Sequence, residues 1–530
     1  MSFRTEPLLL NRKLVGTLVI LLWAGAIGLL VRREYFQTST VRLAEAARTV
    51  GPTASYYTIA MGGGPIGYAT STVDTLPDEI RVGDELMVDI EALGSIQRTQ
   101  MVTEVHLSRG MRLRTFDATV TSPAGEFHAT GTVEGDSVLV LEIVTGTNRP
   151  QQTRVKLDHP IVLPSLLSLE LALGHRLKVG QTYTVRMFDP MLLQEQPVEV
   201  RILAESTLVV PDSAKLDSTS QQWVPARFDT LKAWKVQQQY GGVGITSWVD
   251  EQGRVVSETS PIGFRMQRTA FEIAVQNWRH NRVAARAAAA GAGDVIAATA
   301  IASNVDLRPA TLAELRVVLR NVDLHGLDLS GGRQRLVGDT LVVRRETGYA
   351  LSAPPSSRLR GLLTALPLHD TAFAAELASE PLVQADDPRI QAEARQIVGH
   401  ERRAGPVAEL LTRWVYENLK KEITISVPSA VQVLEDRSGD CNEHTVLYVA
   451  LARALGLPAR TAAGLVYLRG QFYYHAWPEV WLGEWVAVDP TLGQYPADAS
   501  HLRFTVGGLA RQVELLRVIG RLGLTVVETK

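Results

Sequence analysis

The 530-residue chain contains a single cysteine, Cys441, so no internal disulfide can brace its fold. The cysteine lies in the sequence Gly-Asp-Cys-Asn-Glu-His at 439–444, directly before an apolar run that ends at Gly456. Apolar residues recur near the helical period between 446 and 455, and glycine commonly follows the last turn of a helix. The pattern therefore predicts a helix that begins at the cysteine. A lone thiol at such a loop-to-helix junction indicates a chemical role.

Strand-like sequence follows this predicted helix. Residues 460–468 and 471–481 are rich in Val, Tyr, Trp and Phe, and Arg469-Gly470 between them is typical of a tight turn. His475 lies in the second of these segments, and Asp489 lies in the strand-like sequence that follows it at 485–491. We expect the two side chains on neighbouring strands of one antiparallel sheet, where residues on the same face can meet. A Cys, a His and an Asp supply a nucleophile, its base and the carboxylate that orients the base.

Each of these residues also has a structural interpretation when taken alone. Cys441 resembles a small core residue, His475 a half-buried sheet histidine, and Asp489 before Pro490 a turn residue. His444 is closer to Cys441 in sequence than His475 is. Neighbouring residues of a helix point to different faces, however, so we expect His444 to pack in the core or cap the helix and not to act as the base. The order of the motifs favours catalysis. A helix N-terminus and a nearby imidazolium both lower a thiol pKa, so we expect Cys441 to be a thiolate at neutral pH.

Four sequence blocks in this order resemble the bacterial transglutaminase-like superfamily, which has a papain-like cysteine fold. They are the 439–444 motif, Ala-Arg-Ala-Leu-Gly-Leu-Pro-Ala-Arg at 452–460, His-Ala-Trp-Pro-Glu-Val-Trp at 475–481 and Trp-Val-Ala-Val-Asp-Pro-Thr at 485–491. The resemblance implies that Cys441 is the nucleophile, His475 the general base and then acid, and Asp489 the orienting acid. It does not fix the acceptor, because related domains hydrolyse amides, cross-link amines to glutamine side chains, or have lost activity.

The resemblance thus predicts an α+β, papain-like catalytic domain at residues 386–530 that performs acyl transfer or hydrolysis on protein or peptide amide bonds. The alternative is a catalytically inactive envelope binding or assembly protein that retains a relic triad. The sequence has no His-Cys cluster and no EF-hand loop, so we expect no metal and no other cofactor. A net charge of −2 gives no basic field for nucleic acid, which leaves a protein or peptide as the expected partner.

The N-terminus predicts a membrane anchor. The 18 residues from Leu14 to Val31 carry no charge and are flanked by Arg12-Lys13 and Arg32-Arg33. This length is near the minimum for a helix that crosses a hydrocarbon core of roughly 30 Å. No small-x-small cleavage sequence follows directly, so we expect an uncleaved transmembrane helix. The charge balance leans toward a cytoplasmic tail at residues 1–13, with the rest of the chain outside the cytoplasm, in the periplasm or at the cell surface.

The region between anchor and catalytic domain is predicted to be mostly strand. Short β-rich runs with turn residues at hairpin spacing fill residues 50–270, and their two halves resemble a loose internal duplication. Residues 271–385 are predicted to hold an alanine-rich linker and a small β unit. A polar stretch with two prolines at 352–357 marks the expected boundary, so we expect residues 386–530 to fold alone.

Overall fold

The computed structural model describes residues 50–530, apart from 63, 93–94, 124, 146–149, 191, 241–242, 261–262, 281–295, 297–298, 347–363, 423–426 and 428. The predicted tail at 1–13, the predicted anchor at 14–31, the proline-bearing stretch and most of the alanine-rich stretch lie outside the described residues. Within the described residues, no helix is long and apolar enough to cross a membrane.

Residues 53–269 form one large antiparallel sheet, in which hydrophobic side chains alternate toward a buried face. Its 14 strands are β1 (Thr53–Met61), β2 (Gly64–Thr75), β3 (Glu79–Ala92), β4 (Ser95–Ser108), β5 (Leu113–Ser122), β6 (Gly125–Glu134), β7 (Val138–Thr145), β8 (Gln151–Lys156), β9 (Thr182–Asp189), β10 (Gln194–Leu216), β11 (Trp223–Tyr240), β12 (Val243–Asp250), β13 (Val255–Thr259) and β14 (Arg265–Thr269). The predicted antiparallel β-rich region is therefore confirmed.

The sheet consists of two meanders that meet at its centre. The spatial order runs from β8 down to β1, then from β14 down to β9, with Tyr57 of β1 opposite Arg268 of β14. Helix α1 (Leu167–Leu173) connects the two meanders and is buried against both. Its Leu169 belongs to the core of the first meander, and Leu167 and Leu171 pack on strands β9 to β12 of the second. The internal duplication stays a prediction.

The C-terminal region is built from helices on one side of a second sheet. The helices after α1 are α2 (Asn277–His280), α3 (Ala374–Leu377), α4 (Pro388–Val398), α5 (Ala404–Asn418), α6 (Ala430–Asp436), α7 (Cys441–Ala454) and α8 (Leu509–Gln512). The remaining strands are β15 (Ile301–Ala302), β16 (Glu314–Arg320), β17 (Gln334–Val337), β18 (Thr340–Arg344), β19 (Lys420–Lys421), β20 (Ser438–Gly439), β21 (Ala459–Leu468), β22 (Gln471–Trp481), β23 (Trp485–Ala487), β24 (His501–Val506) and β25 (Gly523–Thr529).

The second sheet has the order β15-β22-β21-β24, and β23 pairs with β22. Helix α7 lies at the centre of this region, since every residue from Leu447 to Ala452 is fully buried between the sheet and helices α4 to α6. Helices α4 and α5 precede the cysteine motif, and their apolar faces pack on α7. The α+β architecture is thus confirmed for the C-terminal region.

The structure gives a domain boundary that differs from residue 386. The last strand, β25, pairs with β16, in a four-stranded sheet of order β17-β18-β16-β25. Leu315 and Val317 of β16 share one core with Leu465 and Phe472 of the second sheet. Residue 386 lies between these partners in the sequence, so a cut there divides one packed unit. The physical reason is that β25 has its hydrogen-bonding partner more than a hundred residues upstream, which local sequence patterns do not reveal.

Candidate active site

Cys441 occupies the first turn of α7, as the sequence predicts. Asp440 is the N-cap, and its carboxylate accepts a hydrogen bond from the Asn442 backbone N–H at 2.8 Å. Glu443 returns the interaction by accepting from the Asp440 N–H at 2.9 Å, which completes a capping box. Gly439 has a φ of +152°, and a Cβ there would lie 2.3 Å from the Glu443 side chain. The glycine is therefore needed to bring the chain sharply into the helix.

His475 lies on β22, one residue before Ala476, which contacts the cysteine. The Ala476 backbone N–H donates a hydrogen bond to the Cys441 thiol, so the sulfur contacts the residue that follows the histidine. The His475 side chain is only 8% exposed, and its Nε2 lies 2.8 Å from Asp489 Oδ2. With Nε2 directed to the carboxylate, Nδ1 is the nitrogen that remains for chemistry at the thiol. The structure thus joins His475 to Asp489 and places Cys441 against the residue after His475.

Asp489 is fully buried and its carboxylate is densely hydrogen-bonded. Oδ1 accepts from the backbone N–H groups of Thr491 and Leu492 at 2.8 and 3.0 Å, and Oδ2 faces two imidazoles. Burial alone would raise the pKa of Asp489, but its contacts with His475 and His501 outweigh burial and hold that pKa well below its usual range. The carboxylate is therefore ionised and fixed in orientation. Asp489 follows β23 in a turn, and not within a strand as the sequence predicted.

The thiol environment differs from the expected thiolate. Burial raises the pKa of Cys441 well above its ordinary value, and the carboxylates of Asp440, Glu443 and Asp489 raise it further. The Ala476 N–H opposes this rise without cancelling it. Asp440 and Glu443, which cap the helix, lie at its N-terminus. The helix dipole at that end was expected to stabilise the thiolate. The negative charges of the capping side chains therefore oppose the effect of the helix dipole on the thiol.

His501 is a site residue that the sequence analysis did not identify. It begins β24 and is fully buried, with Nε2 2.9 Å from Asp489 Oδ2 and Nδ1 3.2 Å from Asp498 Oδ1. Burial alone would lower the pKa of His501, but the two carboxylates outweigh it and raise that pKa. A histidine that begins a strand-like run, three residues after an aspartate, is the only sequence signal for this contact.

His475, Asp489 and His501 are also the group in the described residues that could hold a metal ion, since their ligand atoms lie within 4.8 Å of one another. Both imidazoles, however, approach the same carboxylate oxygen at hydrogen-bond distances of 2.8 and 2.9 Å. A cation must lie between its ligands, whereas here donors point directly at the acceptor. We therefore interpret the cluster as a hydrogen-bonded chain.

His444 has the packing role that the sequence predicts. It is fully buried, and its Nδ1 lies 2.7 Å from the Asp440 backbone oxygen, one helical turn back. Burial lowers the pKa of His444, so a neutral ring that donates from Nδ1 satisfies the contact. This histidine supports the helix start and does not replace His475.

The small four-stranded sheet reaches into the site through Arg333. Its guanidinium donates to the Ala497 backbone oxygen at 2.6 Å and to the His501 backbone oxygen at 3.4 Å. It also pairs with Glu346 at 3.3 Å, and this pair is buried. The loop that carries Asp498 is therefore held from the part of the chain, residues 271–385, that was predicted to hold a linker and a small β unit.

Residues 391–490 match the model of the transglutaminase-like superfamily. The chain is similar in structure to a candidate cysteine protease from Cytophaga hutchinsonii, with 16% identity over 41% of this chain and 86% of that one, at a TM-score of 0.26. It is also similar to the periplasmic domain of TgpA from Pseudomonas aeruginosa, with 23% identity over 36% of this chain and 74% of that one, at a TM-score of 0.20.

A protein of a domain family of unknown function from Brucella abortus matches 41% of this chain and 95% of its own length, with 12% identity and a TM-score of 0.30. These TM-scores are low, so the family assignment depends on the sequence match at 391–490. No curated protein matches the chain.

Proposed function

Because residues 391–490 form a transglutaminase-like domain, we propose that the chain is a cysteine enzyme acting on amide bonds of proteins or peptides, by acyl transfer or hydrolysis. The observation that carries the proposal is the 2.8 Å contact between His475 Nε2 and Asp489 Oδ2. That contact leaves Nδ1 of the same ring for the neighbouring Cys441 thiol. Cys441 as nucleophile, His475 as base and Asp489 as orienting carboxylate would supply the three groups that cysteine acyl transfer requires.

The reaction follows from these positions. His475 Nδ1 accepts the thiol proton as the sulfur attacks the amide carbon, and the carbonyl oxygen becomes an oxyanion. The Cys441 backbone N–H lies at a helix start, where N–H groups lack intrahelical partners, so it is suited to stabilise that charge. His475 then protonates the leaving amine and the C–N bond breaks, which gives a thioester. Water or a second amine, deprotonated by His475, attacks the thioester carbon. The C–S bond then breaks, and His475 returns the proton to the sulfur.

The raised thiol pKa favours general-base catalysis over a stored thiolate. On this proposal His475 removes the thiol proton as the bond to substrate forms, since burial raises the pKa of Cys441. This order of events differs from the ion pair that the sequence predicted.

The simplest test uses the fact that Cys441 is the only cysteine in the chain. Incubation of the full-length chain with glutamine-bearing and other peptide substrates, followed by intact-mass measurement, should reveal an acyl-enzyme on Cys441, and peptide products should show hydrolysis or transfer. Cys441→Ser should give no product, because a hydroxyl of far higher pKa is not activated by the same imidazole. His475→Ala should also give none.

A matched control is His128→Ala, which removes the imidazole of a partly exposed pair whose Nε2 lies 2.7 Å from Asp117 Oδ2 in the large sheet. This variant should retain full activity. If His475→Ala is as active as His128→Ala, the triad is structural. The binding or assembly function would then replace the enzymatic one.

We further propose that residues 14–31 anchor the chain in a membrane and that the region after Tyr35 lies outside the cytoplasm. The charge-free run flanked by basic pairs supports this proposal. Protease added to intact spheroplasts should digest the region after Tyr35. Complete protection contradicts the orientation, and release of the protein by carbonate contradicts the anchor.

A further inference from the structure

We propose that His501 is a positioning residue that joins Asp489 and Asp498 as a doubly hydrogen-bonded imidazolium and thereby sets the proton affinity of His475. This inference rests on the proposed function of Cys441, His475 and Asp489. It adds a fourth and a fifth group to that arrangement. The chain of contacts runs from His475 through Asp489 and His501 to Asp498, with successive distances of 2.8, 2.9 and 3.2 Å.

The protonation state of His501 follows from the number of hydrogen-bond donors that its ring must supply. A neutral imidazole carries one N–H, whereas an ionised carboxylate offers only acceptors. His501 has a carboxylate at each nitrogen, so both nitrogens must carry a proton for both contacts to be hydrogen bonds. The raised pKa of His501 agrees with this count. In a fully buried position an uncharged ring would leave two carboxylates without a neutralising partner, which is costly.

Asp498 is itself held in place, so the contact with His501 is built into the fold. Its Oδ1 accepts from the Ser500 N–H and hydroxyl at 2.8 and 2.6 Å, and its Oδ2 accepts from Gln494 Nε2 at 2.8 Å. Contacts with His501 and Ser500 outweigh burial and hold the pKa of Asp498 below its usual range. The second carboxylate is therefore ionised and oriented toward the ring.

The consequence for His475 is electrostatic. Asp489 Oδ2 is shared between two imidazoles whose ring centres are 5.9 Å apart. A fixed positive charge on His501 opposes a second positive charge on His475 across the carboxylate that they share, and so favours the neutral ring that a base requires.

Other charged and titratable groups also surround His501 from the elements that pack around it. They are His475 on β22, Arg333 and its partner Glu346 at the small sheet, and Asp489 and Asp498 on the loops beside β24, while Cys441 and His444 on α7 interact with Asp489. Arg333 touches only the His501 backbone oxygen, and Glu346 pairs with Arg333. The two aspartates are therefore the acidic groups in direct contact with the His501 ring in the described structure.

Two variants separate the charge from the hydrogen bond. His501→Gln can still donate to Asp489 but carries no charge, and Asp498→Asn keeps the shape of the second acceptor without its charge. In the full-length chain, the rate of iodoacetamide reaction at Cys441 should be followed against pH. For His501→Gln we expect the midpoint of the acid limb to move upward by about one pH unit or more, since a positive charge roughly 6 Å away has been removed. His128→Gln should leave the midpoint unchanged.

Histidine-selective ¹⁵N NMR of the full-length chain gives a readout that does not depend on catalysis. At pH 7 the His501 ring should have both nitrogens protonated, and Asp498→Asn should lower its titration midpoint. A neutral His501 in the unaltered chain, or a His501→Gln profile identical to that of the unaltered chain, overturns the proposal. If the alkylation rate is instead independent of His475, the proposed function fails, and the NMR result still decides whether His501 bridges two carboxylates.

Discussion

We predict that a fragment of residues 386–530 will not fold alone, whereas a fragment that begins near residue 300 will. The shorter fragment keeps β25 but lacks β16, the strand that β25 pairs with from Gly523 to Thr529. It also lacks the residues before 347 that contribute to the core around Leu465. The buried apolar side chains that it loses are Leu307, Leu312, Leu315, Val317, Leu319, Leu329, Leu341 and Val343.

The size of this loss can be compared with the stability of a domain. A fully buried aliphatic side chain contributes about 1.5–3 kcal/mol, so the low end for this set is about 12 kcal/mol. A compact unfolded chain reduces that figure by up to about 40%, to about 7 kcal/mol. Typical domains are stable by only about 5–15 kcal/mol. The truncation therefore removes an amount comparable to the whole stability of the unit.

Urea unfolding followed by near-UV circular dichroism measures this directly. The longer fragment should give a sigmoidal transition and the shorter one none. In the full-length chain, Leu315→Ala, at a site that is 0% exposed, should lower the free energy of unfolding by about 2–5 kcal/mol. Val337→Ala on the same small sheet, 49% exposed, should change it by less than about 0.5 kcal/mol. A shorter fragment with the same cooperative transition as the longer one would refute the shared core.

Other variants test the site and its support. Gly464→Ala should destabilise the sheet, because the new Cβ would lie 1.9 Å from the Leu502 backbone oxygen, and its thermal midpoint should fall. Asp489→Asn should slow turnover and also lower the thermal midpoint. The reason is that the fully buried carboxylate accepts four hydrogen bonds, whereas the amide would present a donor to some of these partners. An unchanged midpoint would contradict this. Burial raises the pKa of Glu346 to about 7 from 4.5. Between pH 4.5 and 7 the folded state therefore binds a proton at Glu346 that the unfolded state has lost, so the free energy of unfolding falls as pH rises through this range. Glu346→Gln should reduce this pH dependence when urea unfolding is measured at several pH values.

The catalytic core was predictable because its signals are local. The helix at Cys441 follows from its apolar period and its capping sequence, and the hairpin that carries His475 follows from Arg469-Gly470 between two aromatic-rich runs. Each of these features is decided within about fifteen residues. Local patterns of this kind survive in most folded environments, since side-chain periodicity determines which face is buried.

The missed features are non-local. Strands β16 and β25 pair although they lie about two hundred positions apart in the sequence, and the periodicity of apolar residues does not predict such a pairing. The contact of His501 with Asp489 depends on how β24 lies beside β21, where Val466 is opposite His501. The thiol pKa depends on the sum of burial and three carboxylates, of which only Asp440 and Glu443 are neighbours in sequence. Long-range pairing and buried electrostatics both require the fold first.

The positions of these missed features explain why the small sheet belongs to the catalytic unit. Arg333, beside β17, holds the backbone oxygens of Ala497 and His501, which flank Asp498 in the same loop. If that loop relaxes, Asp498 moves away from His501, and His501 loses the partner that supports its charge. On the proposal made for His501, the charge beside His475 then changes although no residue that touches the substrate has altered. A weakened small sheet should therefore shift the pH profile of Cys441 alkylation before it unfolds the domain.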